Sequence, residues 1–179
     1  MKEGFYSFIT LIRSAVFNKD MSGMLPADAL ALGIGAFFGA LSRYQVGQMA
    51  AKYIASDPKQ YGKLTGWHTA GINVAGSFLL GGISVSPSID VSKVNGSQAT
   101  SFNSRRLLPS IQGMSPRTKL MMGVGFCGSF TTFSTFSVDV VNWINQGKTV
   151  QAMSYVATNN IGGIIAAGIG MAMVKKFFG

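Results

Sequence analysis

This sequence is short of the residues that most chemistry needs. It holds one cysteine and one histidine in 179 residues. A single Cys excludes a disulfide framework and a Cys-based zinc site, and a lone His leaves little for metal ligation. Charge is scarce as well: charged residues make up 12% of the chain, about half the share of an ordinary soluble domain. Six acidic residues face fifteen Lys and Arg, for a net charge of +9. Scarce charge with a mean hydropathy of +0.32 excludes a disordered polyelectrolyte. The basic residues do not gather into the stripe of a nucleic-acid binder. What is abundant is glycine, 23 residues, roughly twice the usual share. A small membrane protein, or an unusually apolar soluble one, remains.

The placement of the charges decides between these. Four stretches read as membrane spans, at 29–51, 65–86, 120–144 and 150–174. Arg43 and Asp139 are the two charged residues inside them. Each is long enough to cross a hydrocarbon core of about 30 Å, which takes roughly 20 helical residues. The expected fold is therefore an all-α membrane protein with four transmembrane helices. Residues 1–28 form an N-terminal leader, either an interfacial amphipathic helix over Gly4–Phe17 or a targeting segment. Residues 29–176 form the membrane domain. Within it a Ser-rich connection at 87–116 reads as an extended surface loop, 52–63 as a short polar loop, and 145–148 as a tight turn. With four crossings, ten Lys and Arg fall on the side of both termini and four on the other, a bias that favours termini inside.

Polar residues within the spans are costly and mark pathways or joints. Asn73 lies mid-span. The third span carries Thr131-Thr132-Phe133-Ser134-Thr135-Phe136-Ser137, five hydroxyls in seven residues. Back-bonding to the i−4 carbonyl makes one such residue harmless, but five together predict a break in the helix. Unwound backbone at that depth is tolerated where protein or a water-filled cavity surrounds it. Freed carbonyls there suit a hard cation, and hydroxyls facing a cavity suit an anion. The rims of Phe133 and Phe136 carry the positive edge of the ring quadrupole, which favours a small anion. Arg43 either snorkels to the interface or raises the positive potential of an anion vestibule. Asp139 either pairs with an arginine or caps a helix fragment. Small residues recur at four-residue steps, Gly35/Gly39 and Gly162/Ala166/Gly170, a spacing that brings membrane helices into close contact. Glycine on more than one face predicts packing against a second subunit too.

Gly123-Val124-Gly125-Phe126-Cys127-Gly128 formally matches a dinucleotide-binding fingerprint, but no strand precedes it and it lies in a span. Cys127 has apolar neighbours and reads as an inert core thiol. Without a catalytic triad, a carboxylate pair or a metal cluster, the sequence is not that of an enzyme.

Three strings taken together are informative: Gly35-x-x-Gly39-Ala40-x-x-Arg43-Tyr44, Asn73-x-x-Gly76-Ser77-Phe78, and Gly125-Phe126-Cys127-Gly128-Ser129-Phe130 running into the Thr131–Ser137 segment. They resemble the CrcB/Fluc family of fluoride channels, in order and across all four spans. The resemblance implies a dual-topology homodimer, two four-helix subunits assembled antiparallel in the lipid bilayer, with a structural Na+ ion on the two-fold axis. It implies a fluoride path lined by Asn73, Thr132, Ser134, Thr135, Tyr155 and Asn159, with Phe133 and Phe136 as paired rings beside the ion and Arg43 as the first-span arginine. It implies that the backbone carbonyls of Gly128 and Thr131 coordinate sodium. The implied function is passive, fluoride-selective export that relieves fluoride toxicity, in a plasma, inner or organellar membrane.

Three departures from the family pattern stand out. Asp139 occupies a position where the family more often has Glu. The leader and the 87–116 loop exceed the compact bacterial pattern. The uneven split of Lys and Arg favours one orientation, and a chain inserted one way only needs an oppositely oriented partner. Two other functions fit the topology. A proton-coupled small-solute or multidrug transporter needs an embedded carboxylate, for which Asp139 is the candidate. A structural subunit of a larger membrane complex needs none.

Overall fold

The computed structural model describes residues 26–88 and 113–178. The leader up to residue 25 and the body of the long connection, 89–112, lie outside the described residues, as do the expectations placed on them. Among the described residues the chain is helical, apart from one isolated pairing of Ser88 with Met114.

Helix α1 (Pro26–Ser56) has 31 residues and runs well past the expected end at residue 51. Lys52 does not stop it, because a lysine at a membrane edge extends its ammonium outward while its stem and backbone stay helical. The expected polar loop is instead largely ordered. Asp57 caps a short helix (Pro58–Tyr61), its carboxylate accepting from the amides of Lys59 and Gln60 at 3.1 Å each, with Pro58 in the first helical position. A 3-10 turn (Gly62–Leu64) follows. Gly66 then turns the chain at φ 85°, where its lack of a Cβ is needed, and α2 (Trp67–Val85) begins.

Past the long connection, Ser115 caps α3 by accepting from the Thr118 amide at 3.1 Å, and Pro116 opens it. Helix α3 covers 116–130, and its middle, Leu120–Cys127, is wound as a π-helix. The expected break in the third span is present: Thr131 and Thr132 are extended, with ψ of 158° and 113°. Helix α4 (Phe133–Asn145) resumes beyond it. A turn containing Gly147 at φ 71° leads to α5 (Thr149–Phe178), which carries a five-residue π turn at Thr158–Gly162.

Among the described residues three helical stretches, Pro26–Ser56, Pro116–Asn145 and Thr149–Phe178, are long and apolar enough to cross a membrane. Helix α2, on the remaining expected span, falls short of that measure. Helix α2 has 19 residues and no charge, but Trp67, His68, Thr69, Asn73 and Ser77 lower its apolar character.

Two seams of small residues hold the helices together. In one, a Cβ on Gly35 or Gly39 would collide with the carbonyl oxygen of Met121 or Phe126, and one on Gly125 would come within 2.8 Å of the Leu32 carbonyl. Backbones therefore touch directly between α1 and α3. In the other seam, Gly81 abuts the Ala167 carbonyl and Gly170 the Phe78 carbonyl, joining α2 to α5. Much of the glycine pattern is thus intrachain packing, whereas Gly33, Gly71, Gly128 and Gly168 meet nothing within 4 Å. The buried core is small and largely aromatic: Ala70, Phe136, Trp143, Ala152 and Tyr155. Outside it the helices bare large apolar side chains such as Leu30, Phe37 and Ile164, the surface a lipid-facing bundle requires.

Candidate functional site

The break between α3 and α4 is where the polar residues of the spans converge. When Thr131 and Thr132 leave the helix, their backbone groups lose helical partners, and buried groups of this kind need replacements. Asn73 of α2 supplies them. Its Oδ1 accepts from the Thr132 amide at 2.8 Å, and its Nδ2 donates to the Thr132 carbonyl at 3.2 Å and to Asn159 Oδ1 at 2.8 Å. Asn159 in turn donates from Nδ2 to the Tyr155 carbonyl at 2.9 Å. Three segments far apart in sequence are thereby tied at one point. Thr158, Asn159 and Asn160 all donate to i−4 carbonyls inside the π turn, a feature that often re-aims side chains at functional positions.

The five hydroxyls divide by role. Thr131 and Ser137 bond back to the carbonyls of Cys127 and Phe133, both at 2.9 Å. Thr132 is the N-cap of α4 and shares its Oγ1 with Ser134 at 3.2 Å and Thr135 at 3.1 Å. Ser134 and Thr135 are exposed on the surface of the single chain.

A groove of about 410 Å³ opens beside the break. It gathers Asn73, Thr132, Phe133, Phe136 and Asn159, together with Gly128 and Thr131. The two phenyl rings stand 5.5 Å apart at 45°. Phe136 is buried, while Phe133 is 77% exposed, so one wall of the groove is open.

The other candidates lie outside the groove lining. Arg43 donates from Nη1 to the Thr131 carbonyl at 3.3 Å, so it neither snorkels to the edge nor projects freely; it braces the break from α1. Tyr155 is fully buried and donates its hydroxyl to Asp139 Oδ2 at 2.9 Å. Among the described residues Asp139 has no arginine partner and caps no helix; the hydrogen bond from Tyr155 is what engages it. Cys127 is buried, as expected. Sequence reasoning passed over Trp67 and Trp143, which flank Tyr155 at 5.7 and 4.6 Å between centroids. Their signal was rarity: they are the chain's two tryptophans, each near a span end.

Comparison with known proteins bears on the same residues. A family model described as CrcB-like protein, Camphor Resistance (CrcB), matches residues 30–171, which include every residue of the groove. The fluoride-specific ion channel FluC 1 of Bacillus thuringiensis subsp. konkukian is 35% identical over 150 residues, covering 79% of this chain and 83% of the relative. The fluoride-specific ion channels FluC of Chlorobium chlorochromatii and Methanocaldococcus jannaschii are each 29% identical, covering 86% and 84% of this chain and 96% and 97% of the relatives. With its long apolar helices and a match that runs through all of them, the chain is a multi-pass membrane protein that belongs to the CrcB family.

Proposed function

We propose that this chain forms a passive, fluoride-selective channel that lets fluoride leave down its electrochemical gradient and so relieves fluoride toxicity. The observation that carries this is the knot at the helix break. Asn73, Thr132 and Asn159 bind one another beside a ring pair, in a groove without a carboxylate. Fluoride is small and strongly hydrated, so a selective path must replace its water with fixed N–H and O–H donors and with ring edges. The relatives that bear the name of fluoride channel agree with this function. Conduction of this kind is not an enzymatic reaction.

In this reading α2 is the fourth crossing, since its 19 residues give a rise of about 29 Å. The functional unit is an antiparallel pair of copies, the second covering the open wall at Phe133. Asn73, Thr132, Ser134, Thr135, Tyr155, Asn159, Phe133 and Phe136 serve the ion path, and Arg43 serves it by bracing the break.

The backbone at the break also fits a structural sodium ion. Because the Thr132 amide is taken by Asn73, the Gly128 carbonyl is without the amide that would close its helical bond. The Thr131 carbonyl lies in extended chain and accepts only from Arg43 among the described residues. These two carbonyls from each copy would hold the ion, which when bound would supply a fixed positive charge locking the two breaks together. The proton-coupled alternative draws no support, since Asp139 is engaged by Tyr155.

The test is efflux from liposomes holding the purified chain, with sodium present. Fluoride-selective flux with chloride retained is the expected result. Equal passage of chloride, or none of fluoride, overturns the proposal.

A further inference from the structure

An apolar cleft of about 300 Å³ runs between the last turns of α2 and α5, and the function above does not use it. The two helices lie parallel there, with Phe78 against Gly170 and Gly82 against Val174. Phe78, Leu79 and Ile83 form one wall, and Met173, Val174 and Phe177 the other. Among the described residues Ser86 brings the one polar side chain of the lining, and its hydroxyl is already given to the Ile83 carbonyl at 2.8 Å. From Phe78 to Ser86, and from Gly170 to Phe178, the walls rise about 12 Å. One leaflet of a hydrocarbon core of about 30 Å has nearly that depth. The rim of the cleft is cationic. The Lys119 ammonium lies on it, donating to the Ser86 carbonyl, and Lys175 and Lys176 follow Val174 in the last turn of α5. Asp28, at the start of α1, is taken by Arg117 at 2.8 Å. None of the three lysines has an acidic partner among the described residues.

We propose that this cleft seats an acyl chain of an anionic phospholipid whose phosphate lies on Lys119, with Lys175 and Lys176 beside it. An apolar slot of one leaflet's depth beneath an ammonium that lacks an acid matches the two halves of such a molecule. An ammonium has three donors, so two are left for a phosphate once the Ser86 carbonyl has taken one. Each basic residue at a membrane surface favours anionic lipid by about fivefold. The connection 89–112 leaves and re-enters beside the cleft, at Pro87 and Gly113. It carries Lys93, Arg105 and Arg106 against Asp90, so like charge disfavours it as the cover of a basic rim. The site stands apart from the ion path and does not depend on the fluoride-channel function.

The test places a reporter at the cleft with Phe177→Trp, where the parent ring is 77% exposed. The full chain is reconstituted in vesicles of phosphatidylcholine and phosphatidylglycerol, one or the other brominated on its acyl chains, and the parent's emission from Trp67 and Trp143 is subtracted. Brominated phosphatidylglycerol is expected to quench the added indole more strongly than brominated phosphatidylcholine at equal mole fraction, with a relative binding constant of about fivefold or more. Lys119→Gln should lower that preference about fivefold, and Lys119→Arg should keep it. Lys119→Gln/Lys175→Gln/Lys176→Gln should bring it to even. Lys59→Gln/Lys63→Gln, beyond the far end of α1, should leave it as in the parent. Phe37→Trp, on the exposed face of α1, should show no preference. Equal quenching by the two lipids at Phe177→Trp overturns the site. So does the same preference at Phe37→Trp, or one that ignores Lys119. Shielding of the reporter from both lipids would mean that protein covers the cleft, either the connection 89–112 or a second copy, and overturns it as well.

Discussion

Asn73 binds Thr132 through both backbone groups of that residue, accepting from its amide at 2.8 Å and donating to its carbonyl at 3.2 Å. A side-chain amide has the same donor and acceptor as a peptide unit, so Asn73 completes a backbone that the helix break leaves open.

Asn73→Leu should leave both groups of Thr132 unpaired and cost about 2–4 kcal/mol of stability. Asn73→Asp keeps the acceptor but sets an oxygen against the Thr132 carbonyl and Asn159 Oδ1. Fluoride efflux is expected to fall at least about tenfold in either variant, the loss of some 1.4 kcal/mol or more. Liposome flux and thermal unfolding in detergent, measured on the same preparations, check both effects.

The α1–α3 seam gives a sharper contrast. Gly39→Ala places a methyl against the Phe126 carbonyl, whereas Gly33→Ala meets nothing within 4 Å. The first should destabilise by about 1–3 kcal/mol and the second change stability by less than about 0.5 kcal/mol. Melting curves in one detergent decide it; equal melting of the two variants would contradict the backbone contact.

Tyr155 and Asp139 are predicted to act as a pair. Tyr155→Phe and Asp139→Asn should each cost stability, and the double variant less than their sum, leaving a coupling of about 1 kcal/mol. A double-mutant cycle by thermal unfolding measures it. Strict additivity would mean that the 2.9 Å contact contributes nothing.

Arg43 and the proposed sodium ion share the Thr131 carbonyl. Positive charge 3.3 Å from that oxygen disfavours a cation on it, so Arg43→Gln should lower the sodium concentration that sustains flux, by severalfold. Efflux measured across a sodium series, with N-methylglucamine replacing sodium, checks the direction. A higher sodium requirement in the variant would show that the guanidinium organises the carbonyl rather than competes for it.

The break itself was legible because its cause is local: five hydroxyls crowded at membrane depth compete for nearby backbone. Asn73 was legible because an amide there is expensive without a purpose. Their union was not, since it spans 59 residues and depends on how α2 packs against the break. The same holds for Asp139, whose partner lies across a turn and is a hydroxyl rather than a cation. The length of α1 escaped notice because lysine near a membrane edge marks an interface and does not end a helix. The second span was read from its charge-free run, and the polar residues of α2, Asn73 among them, are the ones that lower its apolar character in the fold.

The π turn at Thr158–Gly162 separates two demands on α5. Its N-terminal half must keep Tyr155 in the aromatic core, and its C-terminal half must keep Gly170 against the Phe78 carbonyl. A regular α-helix advances about 100° per residue, so one phase would have to serve both faces. The wide turn acts as a coupling with one residue of slack, letting each half be timed to its own neighbour. Deleting a residue there would leave a helix of ordinary quality with its two ends out of step. The glycine seam would still close, and Asn159 would swing away from Asn73.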